Sequence, residues 1–128
     1  MNDALAANAA EWHRARRVIA VRLDNLGDVL MTTPALAAIK ETLPRSHLTL
    51  LASPSGSALA PYLPFINDVI AVRAPWVKHA FPPTDSEVHR TAAVITEGQF
   101  DAAVIFTTYT QSALPAALLL MLAGIPLR

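Results

Sequence analysis

Short apolar runs alternate along this chain with segments of helical spacing, and that alternation limits the folds it can adopt. The runs lie at residues 18–23 (VIAVRL), 47–52 (HLTLLA), 68–72 (DVIAV) and 101–106 (DAAVIF). Continuous apolar runs of this length are typical of strands buried on both faces. Strands that alternate with helices form a parallel sheet through right-handed connections. The sequence therefore predicts an α/β fold, a Rossmann-like parallel sheet with flanking helices.

The first predicted helix has two possible starts. Apolar residues recur at helical spacing over residues 29–43. Thr33 and Pro34 would suit an N-cap and a first helical residue, whereas a start at Asp28 would leave Pro34 as a kink. Further helices are predicted over residues 57–63, 86–97 and 111–123, and residues 73–83 are predicted to be irregular.

Charge and composition exclude several classes of function. Ten Lys and Arg balance ten Asp and Glu, whereas proteins that bind nucleic acid usually carry a basic excess. The chain has no cysteine, which rules out a disulfide framework, a thiolate metal site and a thiol nucleophile. The four histidines are scattered without the spacing of metal ligands. We therefore expect neither nucleic acid nor a metal as a partner.

The chain is predicted to form one domain after a short leader. Residues 1–16 lack the layout of a signal peptide and are predicted to be a loosely ordered leader or a frayed helix, and residues 17–128 are predicted to form the Rossmann-like domain. The most apolar stretch, residues 113–127, contains Pro115 and Gly124 and is shorter than the roughly 20 residues that span a bilayer. A cytoplasmic protein is expected.

The loop after the first strand is the densest polar cluster of the core. Open parallel sheets bind ligands outside the carboxyl ends of their strands, which is where residues 22–28 (RLDNLGD) lie. Spacing alone favours Asp28 as a helix N-cap and Gly27 as a turn residue with positive φ. Arg22 is either a solvated charge at the end of the strand or a group that binds an anion.

Three known phosphate-linked patterns do not fit this loop. A dinucleotide fingerprint needs more than the single Gly27, and a P-loop needs a following Gly-Lys-Ser/Thr. A phosphoacceptor receiver domain needs an Asp at the end of a central strand and a Lys after a later one. The later strands are followed by Ser53-Pro54 and Thr107-Thr108 instead.

Residues 18–44, VIAVRLDNLGDVLMTTPALAAIKETLP, resemble the opening of the family 9 glycosyltransferases. Members of that family include the ADP-heptose:lipopolysaccharide heptosyltransferases. The similarity covers residues 17–128. The matching blocks are Arg22, Gly27-Asp28 and Pro34-Ala35-Leu36, then LTLLASPSG at 48–56, DVI at 68–70, FDAAVIF at 100–106 and AGIP at 123–126.

The resemblance implies an architecture larger than this chain. The family has the GT-B fold, in which two Rossmann-like domains face each other across a cleft. The N-terminal domain holds the acceptor and the C-terminal domain holds the nucleotide-sugar. By this resemblance the chain is the N-terminal, acceptor-side half, the donor-binding domain is absent, and the chain alone is expected to be inactive.

The resemblance also implies an activity and its partners. The expected reaction is an inverting transfer of heptose from ADP-heptose to a lipopolysaccharide core acceptor, with no cofactor and no metal. The partners are a saccharide acceptor and a nucleotide-sugar that the missing domain mainly binds. The expected location is the cytoplasm, with peripheral contact at the inner face of the inner membrane.

Roles for individual residues follow from the same resemblance. Asp28 becomes the general base that takes the acceptor proton, and Arg22 becomes the group that holds an acceptor carboxylate or phosphate. Spacing alone would leave Asp28 as a cap. The further acceptor-binding candidates are Asn25, Gly27, Ser53, Ser55, Gly56, Thr107 and Thr108, with Tyr109 and Gln111 as neighbours in the cleft.

Two interpretations remain beside these. Trp76, Lys78 and His79 suit a saccharide or lipid-phosphate surface, or equally a hydrophobic anchor with solvated charges. The serines after the second strand are also explained as an ordinary polar loop. The alternative function is a non-catalytic Rossmann-like binding or interaction module that keeps the shape without the chemistry.

Overall fold

A computed structural model describes residues 3–77 and 84–128. It contains one sheet of four parallel strands in the order β3-β2-β1-β4. Each strand lies at a predicted apolar run, and no strand end is displaced by more than one residue. The predicted α/β class with a parallel sheet is confirmed. The strands are β1 (Arg17–Arg22), β2 (His47–Ala52), β3 (Asp68–Ala71) and β4 (Ala102–Ile105).

Strand β1 is the centre of the hydrophobic core. Val18, Ile19 and Ala20 have no exposed surface, and Val21 is 2% exposed. Successive side chains alternate between the two faces of the sheet. Ile19 and Val21 therefore belong to one apolar cluster, and Val18 and Ala20 to the other. Burying one such Val or Ile side chain contributes roughly 1.5–3 kcal/mol, which explains why an unbroken apolar run forms this strand.

Helices cover both faces of the sheet and account for both apolar clusters. Leu36 of the helix after β1 joins one cluster, and Ile95 and Leu120 of the last two helices join the other. The helices are α1 (Asp3–Arg14), α2 (Leu26–Thr42), α3 (Pro54–Ser57), α4 (Asp85–Glu97) and α5 (Leu114–Leu122), with a 3-10 turn at Ala60–Tyr62.

Helix α2 begins at Leu26, so both predicted starts are wrong. Asn25 is the N-cap residue, and Pro34 lies inside the helix. A proline in a helix has no N–H for the carbonyl four residues earlier, which here is that of Leu30. The Thr33 hydroxyl donates to this carbonyl instead. The Thr-Pro pair therefore continues the helix rather than starting it.

The other helices differ from the prediction mainly at their ends. The predicted helix at 57–63 is replaced by α3 and the 3-10 turn. Ser53 caps α3 by accepting the Gly56 N–H at 3.1 Å, with Pro54 as the first residue. Helix α5 starts three residues later than predicted, with Pro115 in its first turn. Proline suits that position because its missing N–H would be unpaired anyway.

The N-terminal segment, predicted to be a loosely ordered leader or a frayed helix, is helical in the structure. Residues Asp3–Arg14 form helix α1, which contains no fully buried residue. Trp12 nevertheless packs against the apolar cluster that contains Val18, and Ala15 is buried. Five alanines within α1 have high helix propensity, and Trp12 supplies a contact that holds the helix against the domain.

The order in which successive strands are added to the sheet changes direction beside β1. The chain runs from β1 to β2 and then β3 on one side, and β4 pairs with the other side of β1. The loops after β1 and β4 therefore separate at this point, which is where open α/β sheets form their ligand crevice. Within the described ranges, no helix combines the length and apolar character needed to cross a bilayer.

Candidate functional site

A cleft of about 430 Å³ lies at this reversal, between the carboxyl ends of β1 and β4. Its size falls within the range of about 300–1,000 Å³ that small-ligand sites occupy. Its walls are mostly apolar, and a few polar side chains line it. Among the described residues that line it, Asp24 is the single ionisable one. The lining residues are Val21, Leu23, Asp24, Trp76, Val77, Ile105, Phe106, Thr107, Gln111, Ser112, Pro115 and Ala116.

Asp24 connects three loops at the edge of this cleft. Its Oδ1 accepts a hydrogen bond of 2.8 Å from Gln111 Nε2, which belongs to the loop after β4. Its backbone carbonyl accepts from the Ser53 hydroxyl, which belongs to the loop after β2. Its Oδ2 lies 3.1 Å from Arg22 Nε. The loops after β1, β2 and β4 are therefore held together through one residue.

Arg22 is buried between two carboxylates. The residue is 6% exposed, and its Nη2 lies 3.4 Å from Asp28 Oδ1. Its Nε–H is not aligned on the nearby Asp24 oxygen and has no hydrogen-bond acceptor within the described part of the chain. The prediction of a solvated charge is wrong, because a guanidinium removed from water needs paired carboxylates.

Asp28 occupies the third position of α2 and remains open to solvent. Its Oδ2 accepts the Asn25 N–H at 3.1 Å, and its Oδ1 faces Arg22. It therefore supports the helix start as the acidic member of a capping box rather than as the N-cap itself. Its side chain is 39% exposed. A carboxylate has about four lone-pair positions, so Asp28 can still accept a proton or a hydrogen bond.

Gly27 does not form the predicted turn. It is the second residue of α2, and it is not among the described residues with positive φ. The helix starts one residue earlier than a turn would require, so Gly27 takes an ordinary helical conformation. A Cβ added there would meet no atom within 4 Å. The space above the start of α2, next to the exposed Asn25, is therefore open.

The three candidates after β2 have structural roles. The Ser53 hydroxyl accepts from Gly56 N–H and donates to the Asp24 carbonyl. The Ser55 hydroxyl lies 3.2 Å from that of Ser53. Gly56 is buried, and a Cβ there would lie 2.8 Å from Val29 Cγ2. The structure does not place these residues among those that line the cleft.

The loop after β4 divides into residues that line the cleft and residues that do not. Thr107 and Gln111 line it. The Thr108 hydroxyl lies 3.0 Å from that of Thr110, outside the cleft lining. Tyr109 is exposed and also does not line the cleft.

The irregular segment after β3 contributes one wall of the cleft. Trp76 is 38% exposed and lines it. Lys78 and His79, which the sequence analysis grouped with Trp76, lie outside the described residues. Within residues 3–77 and 84–128, no three His, Asp or Glu side chains stand close enough to hold a metal ion.

Comparison with solved structures gives a fold-level match. The chain is similar to the crystal structure of a family 9 glycosyl transferase from Veillonella parvula DSM 2008, with a TM-score of 0.67 and 24% sequence identity. The two proteins share a fold. The match covers 87% of this chain and 30% of the other, so the chain spans less than a third of that glycosyltransferase. No protein-family model and no curated protein matches the chain.

The shared fold confirms the Rossmann-like architecture.

Asp24 is the residue at the cleft that sequence reasoning missed. The resemblance drew attention to Gly27-Asp28, four residues further along the same loop. A signal was present, because Asp24 is the first acidic residue beyond the first strand, where parallel sheets place ligand-binding groups. Its contact with Gln111 joins residues 87 positions apart and has no local sequence signature.

Proposed function

We propose that this chain is the acceptor-side domain, residues 17–128, of an inverting glycosyltransferase. The observation that carries the proposal is the half-open carboxylate of Asp28, held at the start of α2. Asp28 does not line the cleft itself, but Arg22 connects it to Asp24, which does. The shared fold with a family 9 glycosyl transferase supports it. So does the Arg22, Gly27-Asp28 and Pro34-Ala35-Leu36 pattern, which resembles that family.

The proposed reaction is a single displacement. An acceptor hydroxyl oxygen attacks the anomeric carbon of the donor sugar, and the bond from that carbon to the nucleotide diphosphate breaks. Asp28 takes the hydroxyl proton, for which it must lie within about 3 Å of the oxygen or reach it through one water. The Asn25 N–H and the Arg22 guanidinium restrict the carboxylate to one orientation. The remaining lone pairs of Asp28 accept the proton.

The substrates we propose follow the family resemblance. The donor is ADP-heptose, held mainly by a second, donor-binding domain, and the acceptor is the saccharide core of lipopolysaccharide. The open space above Gly27 and the exposed Asn25 give the acceptor access to Asp28. Such an enzyme would work in the cytoplasm and contact the inner face of the inner membrane peripherally. This reaction needs neither a metal nor a further cofactor.

Replacing Asp28 tests the proposal. In a polypeptide that joins this domain to a donor-binding domain, we expect Asp28→Asn to lower kcat at least roughly a hundredfold, as for the loss of a general base. The asparagine oxygen can still accept the Asn25 N–H, so the helix start is preserved. Transfer from ADP-heptose is measured as ADP release, with Asp28→Ala as the variant that loses both roles.

The alternative is a non-catalytic Rossmann-like binding or interaction module. The observation that favours it is that both oxygens of Asp28 already have structural partners, Asn25 and Arg22. Under this alternative the parent polypeptide releases no ADP above background, and Asp28→Ala lowers only the stability of α2. If the parent polypeptide is active, near-normal transfer by Asp28→Asn would refute the role of Asp28 as a base.

A further inference from the structure

The charge at the cleft edge bears on which acceptor groups can enter. Arg22 carries one positive charge and lies between Asp24 and Asp28, whose carboxylates carry two negative charges. The three side chains together have a net charge of −1. Arg22 is 6% exposed, and its Nε and Nη2 both face carboxylates, which offset its charge toward a ligand. An acceptor anion in the cleft would meet Asp24, the single ionisable group among the described residues that line it.

The walls of the cleft suit a sugar ring without charge. Trp76 offers a partly exposed aromatic surface, and Leu23 and Phe106 add apolar wall. The C–H face of a pyranose is apolar, so it packs well on the apolar face of an aromatic side chain. Asp24 and Gln111 stand at the polar edge. The lone pairs of the Asp24 carboxylate that Gln111 and Arg22 do not use can accept hydrogen bonds from sugar hydroxyls.

We infer that the cleft takes an uncharged, hydroxyl-bearing ring of the acceptor and excludes its carboxylate and phosphate groups. This inference rests on the proposed function, since it concerns the acceptor of that reaction, and it replaces the sequence-based role of Arg22 as an anion-binding residue. Asp24 is the specificity-determining residue, because it accepts hydrogen bonds from hydroxyl groups and repels anions. On an anionic acceptor, the charged groups lie outside the cleft.

Two sugars that differ in one charge test this inference on the chain itself. Methyl α-glucopyranoside and methyl α-glucuronide share a ring and differ at one carbon, CH₂OH against carboxylate. We expect the neutral sugar to shift the indole N–H resonance of Trp76 and the side-chain amide of Gln111 in NMR titrations. The glucuronide should bind about tenfold more weakly, as Coulomb's law gives for a like charge a few ångströms away in a partly exposed site.

Two variants separate the contributions of charge and surface. Asp24→Asn removes one negative charge, brings the net charge of the cluster to zero, and should bring the two affinities close together. Trp76→Ala, at a partly exposed position where folding should be unaffected, should weaken the neutral sugar about fivefold through loss of the stacking surface. The second variant keeps the test valid if Asp24→Asn does not fold.

Either of two results would overturn the inference. One is a glucuronide that binds as tightly as the glucoside or more tightly. The other is a titration in which neither sugar moves the Trp76 and Gln111 resonances. These outcomes are independent of the Asp28 rate measurement. Selective sugar binding with no transfer would reject only the enzyme, whereas transfer without sugar selectivity would reject only the role of Asp24.

Discussion

Gly27 lies in the first turn of α2 and Gly56 lies in α3, and the two glycines have opposite surroundings. A Cβ on Gly56 would lie 2.8 Å from Val29 Cγ2, whereas a Cβ on Gly27 would meet nothing within 4 Å. We expect Gly56→Ala to lower the free energy of unfolding by about 1–3 kcal/mol, the usual cost of overpacking. Gly27→Ala should leave the free energy of unfolding unchanged or raise it by up to about 1 kcal/mol, because alanine favours the helix.

Urea denaturation of the two variants and the parent chain measures these differences directly. The pair is matched, since each variant adds one methyl group within the same part of the domain. Equal urea midpoints for Gly56→Ala and the parent chain would show that Val29 moves aside without cost. The packing of α3 on α2 would then be less tight than the 2.8 Å approach indicates.

The roles of single residues were only partly accessible from the sequence. Asp28 was identified as the acidic residue of the loop, but whether it caps the helix from the N-cap or the third position depends on where α2 begins. The burial of Arg22 could not be predicted, because it depends on two carboxylates converging on one guanidinium. The positive φ expected at Gly27 is found at Gly124 instead, in the turn after α5.

Helix α4 begins with a reciprocal pair of hydrogen bonds. Thr84 N–H donates to Glu87 Oε2 at 2.8 Å, and Glu87 N–H donates to Thr84 Oγ1 at 3.4 Å. We expect Thr84→Ala to reduce the free energy of unfolding by about 1 kcal/mol, the usual loss for an N-cap hydroxyl. Chemical denaturation measures it, with Thr84→Ser as the control that keeps the hydroxyl. An equal loss in both variants would contradict the capping role.

Strands were easier to predict than helix ends, for a physical reason. A strand buried on both faces needs a run of apolar residues, as at residues 18–21 of β1, so its position appears directly in the sequence. A helix end depends on which polar group satisfies a few backbone N–H and carbonyl groups. Pro34 shows the difficulty, because the Thr33 hydroxyl replaces its missing donor and the helix continues.

Asp101 joins the beginnings of the two strands that flank the cleft. Its Oδ2 accepts the Arg16 N–H at 2.7 Å and the Arg17 N–H at 2.8 Å, from the segment that enters β1. Hydrogen bonds to a charged acceptor contribute more than neutral ones. We expect Asp101→Ala to lower the free energy of unfolding by about 2 kcal/mol.

Thermal or urea unfolding tests this, with Asp101→Asn as the control that keeps one acceptor oxygen without the charge. The asparagine variant should lose less than the alanine variant. If both variants unfold at the midpoint of the parent chain, then β4 is held to β1 by the sheet hydrogen bonds alone.

The sheet as a whole followed from the alternation of strands and helices, but its order did not. Nothing local states that β4 crosses to the far side of β1, since that placement depends on how α4 and α5 pack against the sheet. The cleft exists because of this crossing. Sequence reasoning therefore pointed to the edge of the sheet where the cleft lies, and Thr107 and Gln111 line that cleft, but it did not reach the pairing of Asp24 with Gln111.

The meeting of three loops at Asp24 has a consequence for anyone who alters this domain. Substitutions at Ser53, Asp24 and Gln111 share one set of hydrogen bonds, and changes to residues in direct contact do not combine additively. Grafting the β4–α5 loop of another protein would leave Asp24 Oδ1 without its donor. To transplant a new sugar preference, all three loops would have to be exchanged together.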